Sequence, residues 1–269
     1  MDGNRQLEYL QAIGVDVWVR KVAPAVELKV PAIDEIPASA NLDESIEAPP
    51  VLVQPTLRSP GHSVQVPVPG LPSERPADEA IQWEALRAEV LSCTRCQLHA
   101  TRTQGVFGVG NPRADWLIIG EAPGAEEDRR GEPFVGRAGQ LLNAMLKAIG
   151  LEREQVFIAN VLKSRPPGNR DPKPDEVAAC LPYLMRQIAL LRPRLMLAVG
   201  RIAAQNLLAT DMALGRLRGQ VHTFGELNTP LIVTYHPAYL LRSPADKRKA
   251  WEDLKFARST FQRLASQDQ

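Results

Sequence analysis

Cysteine is scarce in this sequence, with three among 269 residues. An odd and small count argues against a disulfide framework and turns attention to thiols as ligands. Long apolar runs are missing too, since none approaches the ~18 residues of a membrane span. The N-terminus lacks the basic-then-apolar pattern of a secretion signal, so the expectation is a cytoplasmic protein with no membrane partner. Net charge is close to absent, +1 from 32 Lys+Arg and 31 Asp+Glu. That balance hides an asymmetry: residues 1–76 carry 6 basic and 10 acidic side chains, which leaves a surplus of +5 on residues 77–269. A mildly basic body is compatible with a polyanionic partner but does not identify one.

Proline is plentiful and unevenly placed, with 11 of the 23 within residues 1–76. Residues 22–79 combine it with few aromatics and scattered Ser, Glu and Ala, a composition that cannot bury enough surface to fold. They read as a disordered linker. Ahead of it, residues 4–20 put Leu7, Leu10 and Ile13 on one side of a short helix ended by Gly14, with Val15, Val17 and Trp18 following. This segment reads either as a tail packed back onto the body or as a docking peptide spanning 1–21.

Residues 80–266 read as one folded domain. A helix over 77–92, capped by Asp78, has Ile81, Leu86, Val90 and Leu91 as its apolar positions. Apolar strands near 116, 156, 195 and 231 alternate with helices at 136 onward, 174–191, 201–209 and 245–266. That alternation predicts an α/β fold with a parallel sheet covered on both faces. The glycine-rich and polar loops all follow C-terminal strand ends, where such sheets place ligands. In the last helix Trp251, Leu254 and Phe256 face the body, and Lys247, Arg248 and Lys249 face solvent.

One stretch concentrates the unusual chemistry. Leu117–Ile119 form a buried strand that runs into Gly120-Glu121-Ala122-Pro123-Gly124, a turn where backbone amides can approach a ligand. Then come the acidic run Glu126-Glu127-Asp128, Phe134 between Pro133 and Val135, and Gly136-Arg137-Ala138-Gly139, which opens a helix carrying Leu141, Leu142 and Met145. Such a turn also serves as a plain βα connection. The whole run GEAPGAEEDRRGEPFVGRAGQLL, however, resembles the first motif of the iron–sulfur, family-4 type uracil-DNA glycosylases. The segment His236-Pro237-Ala238-Tyr239-Leu240-Leu241-Arg242 resembles the second, and together with the strand ending at Asn160 the similarity spans about 85–257.

The resemblance implies a three-layer α/β sandwich with a central, mainly parallel sheet. It also implies excision of uracil from single- or double-stranded DNA by a monomer that needs no nucleotide cofactor. Breaking the N-glycosidic bond leaves an oxocarbenium-like sugar and negative charge on the base. His236 would donate to uracil O2 where that charge develops. Asn160 would pair with N3–H and O4, which cytosine cannot match. Phe134 would stack on the flipped ring, its alternative being an ordinary core aromatic. Glu121 would hold the water or the sugar cation on the opposite side, and Gly120 and Gly124 would let the backbone approach the base. Leu240 and Leu241 suit a wedge filling the hole left by the extruded nucleotide, while Arg137, Lys163 and Arg242 would grip flanking phosphates.

The thiols belong to the same resemblance. Cys93-Thr94-Arg95-Cys96 alone is consistent with zinc, a redox dithiol or an iron–sulfur pair. In the glycosylases a CxxC supplies two ligands of a 4Fe-4S cluster, and Cys180 on the helix 174–191 fits the fourth. At the third position this chain has Ser164. Two readings follow: a labile cluster with three thiolates and another group on the fourth iron, or three thiols without metal.

YLQAIGVDVWVRK is similar to the N-terminal tail of the DNA polymerase III psi subunit, which anchors to the clamp loader. An alternative function is therefore an inactive or weakly active glycosylase-fold replisome protein docked through residues 4–20. Glu121, Phe134, Asn160 and His236 weigh against it, because a pure scaffold has no physical need for all four.

Overall fold

A computed structural model describes residues 76–267. The docking peptide at 1–21, its similarity to psi, and nearly all of the linker at 22–79 lie outside the described residues. Helix α1, Pro76–Leu91, starts with proline in its first turn and carries Asp78 and Glu79 there, favourable against the helix dipole. Asp78 is thus inside the helix and not its cap. Leu86 and Val90 are buried, but Ile81 and Leu91 are exposed. The inward face runs through Trp83, whose ring meets Phe107 and Phe157 edge-on at 5.2 and 4.9 Å.

Six strands form one sheet: β1 Val109–Gly110, β2 Trp116–Gly120, β3 Phe157–Asn160, β4 Leu195–Val199, β5 His222–Phe224 and β6 Thr229–Thr234. Their spatial order is β1-β3-β2-β4-β6-β5. The four central strands are parallel, with Ile118 opposite Ile158 and Leu197. Both edge strands run antiparallel and were not anticipated. At two and three residues each, they are too short to leave an alternation in the sequence.

Every residue of β2, β3 and β4 is buried, as the continuous apolar runs require. Alternate side chains serve opposite faces. Ile118, Ile158, Leu197 and Ile232 pack under α3, Arg137–Ala148, and α8, Lys247–Gln267. Leu117, Phe157, Met196 and Val233 pack under α1, α4, Pro174–Leu191, and α5, Arg201–Leu208. The result is the three-layer arrangement expected. Three short helices complete it: α2, Ala125–Arg130; α6, Leu214–Leu217; and α7, Pro237–Arg242, which occupies a segment read as loop.

Among the described residues, no helix is long and apolar enough to cross a membrane.

Candidate active site

The C-terminal ends of the central strands open into one cleft of about 710 Å³. Gly120 ends β2, Asn160 ends β3, Gly200 follows β4, and Tyr235-His236 follow β6; all but the backbone of Gly120 are cleft-lining, joined by Glu121, Gly124, Phe134 and Arg242. Residues 120 to 240 in sequence thus meet because parallel strands deliver their ends to one side.

Phe134 is the most constrained of them. Its φ of 54° lies in the left-handed region, which costs a side-chain-bearing residue about 1–3 kcal/mol unless neighbours enforce it. Glu127 is one such neighbour: its Oε1 accepts the N–H of Val135 at 3.0 Å and of Gly136 at 3.1 Å. The ring is buried, 5.5 Å from that of His236 and tilted 30° to it. Below it, Gly120 leaves the necessary room, since a Cβ there would stand 2.6 Å from the Phe134 ring and 2.4 Å from Asn160 Oδ1.

Asn160 is 2 % exposed, and its Oδ1 has no hydrogen-bond partner. Buried polar atoms are normally satisfied, so an acceptor left open beside a cleft marks a place where a ligand donates.

His236 is held with a defined tautomer. Its Nδ1 accepts the N–H of Ala238 at 3.1 Å, which leaves Nε2 as the protonated nitrogen of a neutral ring. Burial, reinforced by the charge of Arg242, lowers its pKa to about 4, so the ring is neutral at physiological pH. Gly200 approaches it closely: φ is 101°, and a Cβ would sit 2.9 Å from that of His236.

Glu121 is pushed the other way. Burial, together with the negative charge of Asp171, raises its carboxyl to about 7 against the opposing pull of Arg201. Asp171 and Arg201 pair at 2.8 Å beside the cleft. A carboxyl near neutrality is matched to moving a proton at working pH.

The remaining expected residues divide. Arg242 lines the cleft and is exposed, whereas Arg137 is exposed but not among the lining side chains. Leu241 is 37 % exposed; Leu240 is 1 % exposed and belongs to the core under α3, so the expectation of a wedge made of both leucines is corrected: Leu240 is packed away from solvent. Lys163 cannot grip phosphate either. It is fully buried, donating to Asn160 O at 2.8 Å and Gln187 Oε1 at 2.6 Å, and burial lowers its ammonium to about 7.

Glu127, Gly200 and the Asp171–Arg201 pair were not assigned roles from sequence. Glu127 was visible only as one of three consecutive acids, and nothing in that run says which carboxylate turns toward the Phe134 loop.

Cys93 and Cys96 follow α1, and Cys180 is buried on α4 beside Leu98, Leu162 and Cys96. Burial and the nearness of the other two thiols push Cys180 up, while the Lys163 N–H, 3.5 Å from its Sγ, pulls the other way. Ser164 is buried too, and its Oγ accepts from the Arg102 guanidinium at 2.8 Å. Arg102 also donates to the carbonyls of Leu91 and Cys93, at 2.8 and 3.0 Å. Among the described residues no group of three or more His, Cys, Asp or Glu side chains could hold a metal ion. Three thiols and a hydroxyl committed to a guanidinium do not fit a cluster held by four thiolates.

Comparison with known proteins bears on this arrangement. Residues 107–255 match the family model described as the uracil DNA glycosylase superfamily. The chain is 46 % identical over 173 residues to a type-4 uracil-DNA glycosylase of Archaeoglobus fulgidus, covering 62 % of this chain and 87 % of that one. It is 43 % identical to a type-4 enzyme of Pyrobaculum aerophilum, over 64 % of this chain and 90 % of the relative. A third, from Thermotoga maritima, is 41 % identical over 65 % of this chain and 93 % of its own. The alternative of an inactive replisome scaffold gains no support from these relatives.

Proposed function

This chain belongs to the uracil-DNA glycosylase superfamily, and from that premise we propose that it hydrolyses the N-glycosidic bond of uracil in DNA, leaving an abasic site. The observation that carries the reading is the open acceptor of Asn160. Uracil N3–H is a donor and satisfies it; cytosine offers a lone pair at the same ring position and leaves it unpaired, a loss that binding sites reject strongly.

The other side chains supply a consistent set of roles. The Phe134 ring stacks on the base once it is turned out of the helix. Neutral His236 donates Nε2–H to uracil O2, so its hydrogen bond strengthens as the base departs with negative charge, with no proton to lose first. Glu121, ionised, faces the sugar side, where it orients water and stabilises positive charge. Arg242 holds phosphate at the cleft mouth, and Leu241 fills the vacated stack. A monomer suffices, because one chain supplies every group. DNA in the cytoplasm is the substrate, single- or double-stranded.

Incubation with a labelled oligonucleotide carrying one uracil, followed by alkali, tests the reading. Breaks at uracil and none at cytosine or thymine support it; an intact strand overturns it. The proposal includes docking of residues 4–20 to the replication clamp loader, motivated by Leu10 and Trp18 ahead of a proline-rich segment. Deleting residues 1–25 should abolish that binding and spare excision; unaltered binding dismisses it.

A further inference from the structure

Two aromatic side chains on the cleft wall have no part in the mechanism above. Tyr235 and Tyr239 both line the cleft, four residues apart, a spacing that brings side chains together across one helical turn. Their rings stack, with centroids 5.3 Å apart and planes 13° from parallel.

Each ring is also tethered. The Arg218 guanidinium lies over the Tyr235 ring at 4.4 Å and donates to its hydroxyl at 3.4 Å. Arg218 is itself anchored on the Asp253 carboxylate at 2.7 and 2.8 Å and on Lys249 O at 2.7 Å. The Tyr239 hydroxyl donates to Asp246 Oδ2 at 2.6 Å, and Lys249 pairs with the other carboxylate oxygen at 2.8 Å. Tyr235 is half-buried, whereas Tyr239 is 36 % exposed.

A lone exposed aromatic is ordinary. Tyr239 differs because Tyr235 and Asp246 already set its orientation, so little side-chain freedom is left to lose on binding. Its hydroxyl is committed, and what it offers a ligand is ring surface. The surroundings say which ligand. Tyr239 stands three residues after His236, in the wall of the cleft that Asn160 also lines, and Arg242 in the same wall carries positive charge. A flat ring beside a cation is the combination that holds single strands without regard to sequence. A paired base has both faces covered by its neighbours in the duplex, whereas an unpaired one is free to move onto a protein ring.

We propose that Tyr239 is a binding site for the unpaired nucleobase next to uracil on a single strand, ring on ring, with Tyr235 and Asp246 holding it in place. The site rests on the uracil-excision reading and deepens it, because part of the affinity for single strands then comes from the flanking base.

Removing the base and the ring in turn tests the pairing. Single-stranded oligonucleotides carry one uracil flanked by thymines, or by a tetrahydrofuran abasic residue on the 5′ or the 3′ side. Tetrahydrofuran survives alkali, so strand breaks report uracil excision alone. The half-saturating enzyme concentration for single-turnover excision is measured for wild type, Tyr239→Ala and Tyr239→Phe. Tetrahydrofuran on one of the two sides should raise it roughly 10-fold for wild type and for Tyr239→Phe, which keeps the ring, and should leave Tyr239→Ala unchanged. The ratio between two oligonucleotides within one preparation is independent of the fraction folded. Equal ratios in wild type and Tyr239→Ala on both sides, or a Tyr239→Phe that behaves as Tyr239→Ala, overturn the site. A wild type that excises uracil from none of the oligonucleotides sinks the glycosylase reading itself, whereas an active wild type with those equal ratios sinks the Tyr239 site alone.

Discussion

Gly120 and Asn160 are register partners on adjacent parallel strands, and a Cβ on Gly120 would come within 2.4 Å of Asn160 Oδ1. The same Cβ would lie 2.6 Å from the Phe134 ring. The missing side chain is therefore what allows an aromatic plane and a carboxamide to share the floor of one cleft.

Gly120→Ala should separate activity from folding. The added methyl displaces Asn160 or Phe134, an overpacking cost of about 1–3 kcal/mol, and excision should fall roughly 100-fold because a small misplacement of positioning groups is costly. Single-turnover rates and thermal melts on the same preparation check it. A variant as active as wild type would show that the two side chains are not used together.

Excision should depend on pH through Glu121 and not through His236. With Glu121 near 7 and acting as a carboxylate, the rate rises as pH passes through about 7. His236 titrates near 4 and stays neutral throughout that range. Glu121→Gln should lower the plateau and remove the inflection, and a retained inflection would reassign it.

The same carboxyl has a signed effect on stability. Its folded pKa is raised, so between about 4.5 and 7 the native state holds a proton that the unfolded chain has released. Stability from this group is present at low pH and declines as pH rises through that window. Above pH 7, Glu121→Gln should therefore be more stable than wild type, by on the order of 1 kcal/mol given the partial solvation of the site. Denaturant midpoints at pH 5 and pH 8 measure it; an equal difference at both pH values would contradict it.

Ser164→Cys should change what the thiols hold. The wild-type serine is tied to Arg102 at 2.8 Å and offers no thiolate. A fourth thiolate at that position completes the four-cysteine set, so iron and labile sulfide per chain, measured after anaerobic purification, should be higher in the variant and should resist chelation better. Equal metal content and equal lability would show that position 164 is no ligand.

Much of this arrangement was legible in the sequence because it follows from periodicity. Continuous apolar runs at Leu117–Ile119 and Leu195–Val199 have one physical reading, and the polar residues after them fall at strand ends. Glu121, Phe134, Asn160 and His236 are accordingly found together around the cleft. What was not legible depends on direction. Leu240 and Leu241 are identical in type, yet the turn of α7 buries one and exposes the other. Lys163 reads as a surface cation until Gln187, twenty-four residues on, supplies its partner. The strain at Phe134 and the carboxylate of Glu127 that supports it are likewise facts of backbone geometry, not of pattern.

The most direct test of the account is single-turnover uracil excision by Asn160→Ala, beside its melting temperature. If the open acceptor exists to take uracil N3–H, the rate falls by roughly 100-fold or more, while stability is little changed because the lost group had an unsatisfied Oδ1 in the free protein. A rate equal to wild type in a folded variant would mean that Asn160 does not read the base, and the proposed chemistry would not stand.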